Sequence, residues 1–374
     1  MAKKPHHASD QVVQLPVPVS AGDCPTPPDG TALATAAAMA QVLAGASRVL
    51  VTGHPDPDGD VAGSGSALCC ALESLGKDVL HFNPDPFPPG FRNLPGARGL
   101  CHAIPASATF DVTVILDAGR MDRVRPHLPP PHRRGTVLWI DHHPLQEPCG
   151  DLDWVDVEAA SVGEMLHVLL GLMGVRVDHR VGTGLYASLL ADTGGFRYQA
   201  TKPRTLRLAA ELLEAGVGPW DVAEQVYERE PVERVRLLTR VLLSLSLGRA
   251  GRCATIVVTQ GDLAQTGATA AMTDGMINHA RGIAGVEVAG QLEELPGETG
   301  WRVTLRSRGV LPASDVTAHL HPREPGHRFW ASYHRPGPVE AIREELEAAV
   351  DRAVRARRGS QERPSVEPTA EPPA

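Results

Sequence analysis

The chain has 374 residues, long for one domain and comfortable for two, with 42% apolar residues but only 4% aromatics. A formal charge of −8 excludes non-specific binding of long nucleic acid, duplex DNA included, because that needs a broad basic surface; a small anionic substrate held by a few local charges stays admissible. The six cysteines show no CxxC spacing, and no apolar run approaches a signal-peptide core or the ~20 residues of a membrane span, so the expectation is a cytoplasmic protein with reduced thiols.

Residues 1–30 are rich in Pro, Ser and small residues and read as a mobile tail. "SRVLVT" then predicts a strand, and "VAGSGSALCCALESLGK" a helix that stops at Gly76. "DVLHFN", "FDVTVIL" and "TVLWI" predict further strands, the middle one wholly apolar. "HRVGTGLYASLLADTGG" and "TLRLAAELLEAGV" have helical spacing. Strands alternating with helices imply an α/β domain, residues 31–230, with a parallel sheet covered by helices on both faces. "VERVRLLTRVLLSLSL" predicts an apolar linker helix within 231–250. After it, "CATIVVTQ" (strand), "MINHARGI" (helix), "GVEVAGQLEEL" and "GWRVTLRSRG" (strands) predict a smaller mixed α+β domain, 251–345. A charged helix, "PVEAIREELEAAVDRAVRARR", leads into a Pro/Glu-rich tail, so that 346–374 holds a helix end and a second mobile segment.

The acids and imidazoles concentrate in four places. "VTGHPDPDGD" puts His54, Asp58 and Asp60 after the first strand. Asp117 follows "VTVIL". Asp141, His142 and His143 follow "TVLWI". Asp192 ends the helix that runs into "DTGGFR". Three of the four groups thus lie at the carboxyl ends of buried strands, the edge where open α/β sheets bind ligands. Carboxylates mixed with imidazoles suit Mn²⁺ or a neighbouring ion better than thiolate-loving metals. One bridging aspartate lets two ions sit ~3.5–4 Å apart, activate water and stabilise a leaving oxygen.

Each group has an ordinary explanation when taken alone. "HPDPDGD" can be a Pro/Asp turn, Asp117 a helix cap, His142 a hydrogen-bonded core histidine, and Asp192 part of a common turn. A calcium-binding EF-hand loop is excluded, because its sixth and twelfth positions counted from Asp56 hold Val61 and Ala67 instead of Gly and Glu. The order and placement of all four groups favour the metal site.

"HPDPDGD", "LDAGR", "IDHH" and "ADTGGFR" together resemble the four motifs of the DHH phosphoesterase superfamily, across roughly residues 45–340. Within it the chain is most similar to two-domain oligoribonucleases that also dephosphorylate 3′-phosphoadenosine 5′-phosphate; "RSRG" and "PGHRF" match their DHH-associated C-terminal domain. The resemblance implies two divalent cations, with Mn²⁺ favoured. His54, Asp58 and Asp117 would hold the first, and Asp60, Asp117, His142 and Asp192 the second. It implies a catalytic His143 facing the scissile phosphate, Asp141 orienting the ligand histidine from behind, and hydroxide attack on a short oligonucleotide or nucleoside phosphate. Arg306, Arg308, His327 and Arg328 would contact the substrate. In one departure, "REPGHRF" keeps only Gly326 and His327 of the family's glycine run, and Pro325 has no N–H to offer a phosphate. The alternatives are the same core acting on cyclic dinucleotides, pyrophosphate or polyphosphate, and a non-catalytic nucleotide-binding protein. No membrane partner is expected, and a homodimer is left open.

Overall fold

The computed structural model describes residues 30–145, 147–297, 300–321 and 329–361. The expected terminal tails therefore lie largely outside the described residues, as do His327 and Arg328. The chain divides into two compact units, Met1–Arg229 and Glu230–Ala374.

The first unit is built on a five-stranded parallel sheet: β1 (Arg48–Gly53), β2 (Asp78–His81), β3 (Val112–Leu116), β4 (Thr136–Asp141) and β5 (Leu152–Val155), in the order β2-β1-β3-β4-β5. β3 is buried throughout, and β1 and β4 are buried from their second residue on. Such continuous apolar runs are what a strand covered on both faces requires. One face carries α1 (Gly30–Gly45), α2 (Gly59–Ser74), α5 (Val162–Leu172) and α6 (His179–Asp192), packed through Leu43, Leu68, Leu166 and Leu189 onto Val51, Val114 and Ile140. The other face is closed by the one-turn α3 (Met121–Val124) over Trp139 and by Phe82 and Phe110 over Leu50. The short α4 (Pro131–Arg134), α7 (Pro203–Glu214) and α8 (Pro219–Ala223) complete the unit.

Two features of this fold position the site. The chain leaves β1 toward β2 and then crosses back to β3 on the other side, so the carboxyl ends of β1 and β3 flank a topological switch point, where α/β sheets open a crevice. Small residues also bring α6 close to α2. A Cβ on Gly63 would stand 2.5 Å from the Ser188 nitrogen and 2.7 Å from the Gly184 carbonyl oxygen, so only glycine fits. That contact carries Asp192, at the end of α6, toward the strand ends.

The second unit holds β6 (Ser246–Leu247), β7 (Cys253–Val258), β8 (Val288–Glu294), β9 (Trp301–Ser307) and β10 (Trp330–Arg335), ordered β10-β9-β8-β7-β6, with only β7 and β8 parallel. α12 (Ala313–Thr317) and α13 (Val339–Gln361) bury Leu305 and Ala331 on one face. α9 (Val232–Leu243) and α11 (Ile277–Arg281) bury Ile256 and Ala289 on the other, and α10 (Gln260–Thr266) is capped by Thr259. The apolar stretch 232–247 is not one helix. It ends at Leu243, and Ser246 and Leu247 pair with Thr255 and Ala254 as an edge strand, anchored where the Val257 N–H donates to Ser244 Oγ. No described helix is long and apolar enough to cross a membrane.

Candidate metal centre

His54 follows β1. Its Nδ1 lies 2.7 Å from the Pro55 carbonyl, which can only accept, so Nδ1 is the donor and Nε2 is the nitrogen turned toward the cluster. That Nε2 is 3.9 Å from Asp58 Oδ2 and 3.9 Å from Asp117 Oδ2. Asp58 caps α2: its Oδ1 accepts from the N–H groups of Asp60 and Val61 at 3.0 and 3.1 Å, leaving Oδ2 for the cluster. His142 repeats the arrangement at the end of β4. Its Nδ1 faces the Ala159 carbonyl at 3.3 Å, and its Nε2 stands 3.2 Å from Asp192 Oδ2, 3.4 Å from Asp117 Oδ1 and 3.9 Å from Asp60 Oδ2. The ligating atoms of His54, Asp58 and Asp117 thus gather in one group, and those of Asp60, His142 and Asp192 in a second. Asp117 turns one oxygen toward each.

Asp117 is strained as well as central. It is buried just past the end of β3 with φ 50°, a left-handed conformation rare for residues other than glycine and tolerated best among them by Asn and Asp. Its Oδ1 accepts no well-aligned hydrogen bond, although imidazole nitrogens stand nearby. A buried carboxylate oxygen met only by imidazole nitrogens, at 3.1 and 3.4 Å, is a position suited to a cation. Asp192 points the same way. It is the last residue of α6, where the helix's exposed carbonyls already disfavour a second negative charge.

The electrostatics show the strain of packing so many acids together. Burial would raise the pKa of Asp117, but the imidazoles of His142 and His143 outweigh it and hold the carboxyl far below its usual range. Burial, with Asp192 and Asp117 alongside, pushes Asp60 well above it. Burial opposes charge on His142, yet Asp117 and Asp192 raise its pKa well above 6.5. For His143 burial is again overridden, by Asp117 and Asp141, and the pKa rises to about 10. Raised imidazole pKa values beside crowded carboxylates mark a place that favours positive charge. The donor set of imidazole nitrogens and carboxylate oxygens fits borderline divalent ions.

The structure brings His54, Asp58, Asp60, Asp117, His142 and Asp192 together, with His143 beside Asp117 at 3.1 Å. Asp141 differs from the expectation that it orients the ligand histidine. It accepts from the N–H and Nδ1 of His143 and from the Gly119 N–H, while His142 is steadied by Ala159. In the second unit, Arg306 lies half-buried on β9 between Ala289 and Trp330. Arg308 falls beyond the strand and donates to the carbonyls of Arg281 and Ile283, so the two arginines do not share a regular strand face. The sequence reading passed over the segment 159–164, which supports the metal centre. Its signal was present in Ser161-Val-Gly-Glu164 ahead of an apolar run, a helix-start pattern.

Comparison with known proteins accords with this geometry. Residues 48–191 match the model of the DHH family, N-terminal domain. The chain is 31% identical over 272 residues to a bifunctional oligoribonuclease and PAP phosphatase NrnA of Thermus thermophilus, covering 73% of this chain and 80% of that one. A Bacillus subtilis protein of the same description is 27% identical over 203 residues, covering 54% and 63%. Among solved structures, an exopolyphosphatase-related protein from Bacteroides fragilis superposes with a TM-score of 0.78 at 23% identity, covering 85% of this chain and 96% of that one. RecJ from Thermus thermophilus in complex with Mn²⁺ gives 0.51 at 15% identity, with coverage of 86% and 55%. The chain belongs to the DHH family of phosphoesterases.

Proposed function

We propose that this chain is a cytoplasmic, divalent-metal-dependent phosphoesterase that hydrolyses short oligonucleotides, 3′-phosphoadenosine 5′-phosphate, or both. The observation that carries the proposal is the pair of His/Asp groups meeting at Asp117 on the carboxyl edge of a parallel sheet. The substrate class rests on the Thermus thermophilus and Bacillus subtilis relatives, both described as oligoribonuclease and PAP phosphatase.

His54, Asp58 and Asp117 would hold one ion and Asp60, Asp117, His142 and Asp192 the other, with Mn²⁺ favoured by the mixed donors. Bound there, such ions supply positive charge to a phosphoryl group and its leaving oxygen, and acidify water. The chain's own groups do the positioning. Nδ1 donation to Pro55 and Ala159 fixes which nitrogen of His54 and His142 faces the cluster. His143, its side chain 41% exposed and its charge supported by Asp141 and Asp117, would donate to a phosphoryl oxygen. Arg306, His327 and Arg328 keep their proposed role as contacts to the remainder of the substrate, whereas Arg308, whose Nε and Nη2 donate to the Arg281 and Ile283 carbonyls, is proposed to hold the end of β9 instead.

The test is hydrolysis by chelator-stripped protein with Mn²⁺ restored, against short RNAs, 3′-phosphoadenosine 5′-phosphate, linear and cyclic dinucleotides, pyrophosphate and a small generic phosphodiester. Turnover of either of the first two supports the proposal. Turnover confined to pyrophosphate or cyclic dinucleotides would replace the substrate class, and no turnover with ions bound would leave a binding protein.

A further inference from the structure

Ser188 lies mid-helix in α6, wholly buried, and no motif marks it. Its Oγ is 2.5 Å from Oδ1 of Asp60, 128 residues away in sequence. The Ser188 hydroxyl donates to that oxygen. The same Oγ accepts from the Gly163 N–H at 3.0 Å and stands 3.0 Å from Ser161 Oγ. The other oxygen of Asp60, Oδ2, accepts from the Val162 N–H at 2.7 Å, and this is the oxygen that faces His142.

We infer that Ser188, together with the first turn of α5, is a positioning device for Asp60 that builds the His142 half of the metal centre; the inference rests on the metal-dependent function proposed above. Asp60 sits at zero exposure among other carboxylates, so nothing in solvent fixes its rotation. The serine hydroxyl and the Val162 amide fix it instead. With Oδ1 held by Ser188, the aspartate presents Oδ2 to the site. Ala159, two residues before the α5 cap Ser161, receives Nδ1 of His142, so one short segment orients two of the three residues in this group. The glycine at 163 has a matching reason: a Cβ there would overlap Ser188 Oγ and drive it off Asp60. The His54 group shares none of these contacts. Its Asp58 is held by α2 and its His54 by Pro55.

The test is Mn²⁺ binding by the full chain, followed by electron paramagnetic resonance and titration calorimetry without substrate. In an Asp192→Asn background, which leaves the His54 group intact, adding Ser188→Ala changes nothing. In a His54→Gln background, which leaves the His142 group intact, Ser188→Ala weakens Mn²⁺ binding about 10- to 100-fold, the usual effect of removing a partner behind a ligand. Gly163→Ala, which keeps the serine but displaces it, gives the same selective loss. Equal weakening in both backgrounds would assign Ser188 to helix packing, and no weakening in either would remove its role; both overturn the inference while the metal-centre proposal stands. Failure of the unmutated chain to bind Mn²⁺ at all would overturn that proposal, and this inference with it.

Discussion

Asp141, at the end of β4, accepts the backbone N–H of Gly119 from the loop after β3, at 2.6 Å. Its other oxygen takes the N–H and the ring Nδ1 of His143 at 2.8 and 2.9 Å. One wholly buried carboxylate therefore ties the loop carrying Asp117 to the loop carrying His142 and His143. A group that can only accept is required, because every partner is a donor.

Asp141→Asn tests that requirement. Whichever way the amide turns, its NH₂ faces Gly119 or His143, so one buried donor loses its acceptor. The expected cost is about 1–3 kcal/mol of stability, read from denaturant unfolding. Turnover should fall about 10- to 100-fold with the substrate KM less affected, since the loops that carry the ligands lose their tie. Unchanged turnover in a destabilised protein would make Asp141 a purely structural residue.

Asp117→Asn isolates the charge of the shared ligand. Asn is at ease with φ 50°, so the backbone is retained, whereas Asp117→Ala adds strain. Both variants should stay folded, because the apolar core of the unit is untouched, although each gives up the attraction between the Asp117 carboxylate and the His142 and His143 imidazoles. Both should abolish turnover and bind fewer than two ions. His142→Ala should lose mainly the ion of its own group. Counting bound Mn²⁺ by mass spectrometry decides the matter; two ions and near-normal kcat in Asp117→Asn would exclude a shared ligand.

The strand-end acids were legible in the sequence because each follows a buried apolar run, and a parallel sheet puts all such ends on one edge. What held them was not legible. Ser188 reads as one more small residue in "LYASLLA", and Asp141–Gly119 joins residues that only strand pairing brings together. β5 and β10 escaped for a related reason: "LDWV" and "WASYHR" lack a sustained apolar run, and their neighbours in the sheet define them as strands. The predicted strand "GWRVTLRSRG" ran past the end of β9 at Ser307, since Arg308 is already bonded to the Arg281 and Ile283 carbonyls.

Ion binding should release protons and tighten with pH. Burial works against a charged His142, but Asp117 and Asp192 raise its pKa well above 6.5, so the ion-free imidazole carries a proton on the side an ion must occupy. Below that raised pKa an ion displaces the proton at a cost; above it the nitrogen is already bare. Mn²⁺ affinity should therefore climb as pH rises toward that raised pKa, with proton release seen as a dependence of the binding heat on buffer identity. Chelated protein should recover activity faster at higher pH. An affinity flat with pH would mean that His142 is neutral before the ion arrives.

Arg306 and Arg308 should separate on mutation. Arg308 donates through Nε and Nη2 to the Arg281 and Ile283 carbonyls at 3.0 and 3.2 Å, tying the end of β9 to the turn after α11. Arg308→Ala should lower the stability of the second unit by about 0.5–1.5 kcal/mol, the net worth of hydrogen bonds lost at an exposed site. Arg306 sits one residue inside the strand end, opposite an exposed Trp330 on β10, with an alternation that turns it away from the Leu305 core. In its proposed role it contacts the part of the substrate away from the scissile bond, where planar guanidinium donors suit a phosphate. Arg306→Ala should then raise KM for a dinucleotide about 10- to 150-fold, corresponding to roughly 1.5–3 kcal/mol. A small generic phosphodiester, with nothing for Arg306 to hold, should be hydrolysed as before. Equal losses on both substrates would give Arg306 the structural role expected of Arg308, and no loss on either would remove it from the substrate contacts.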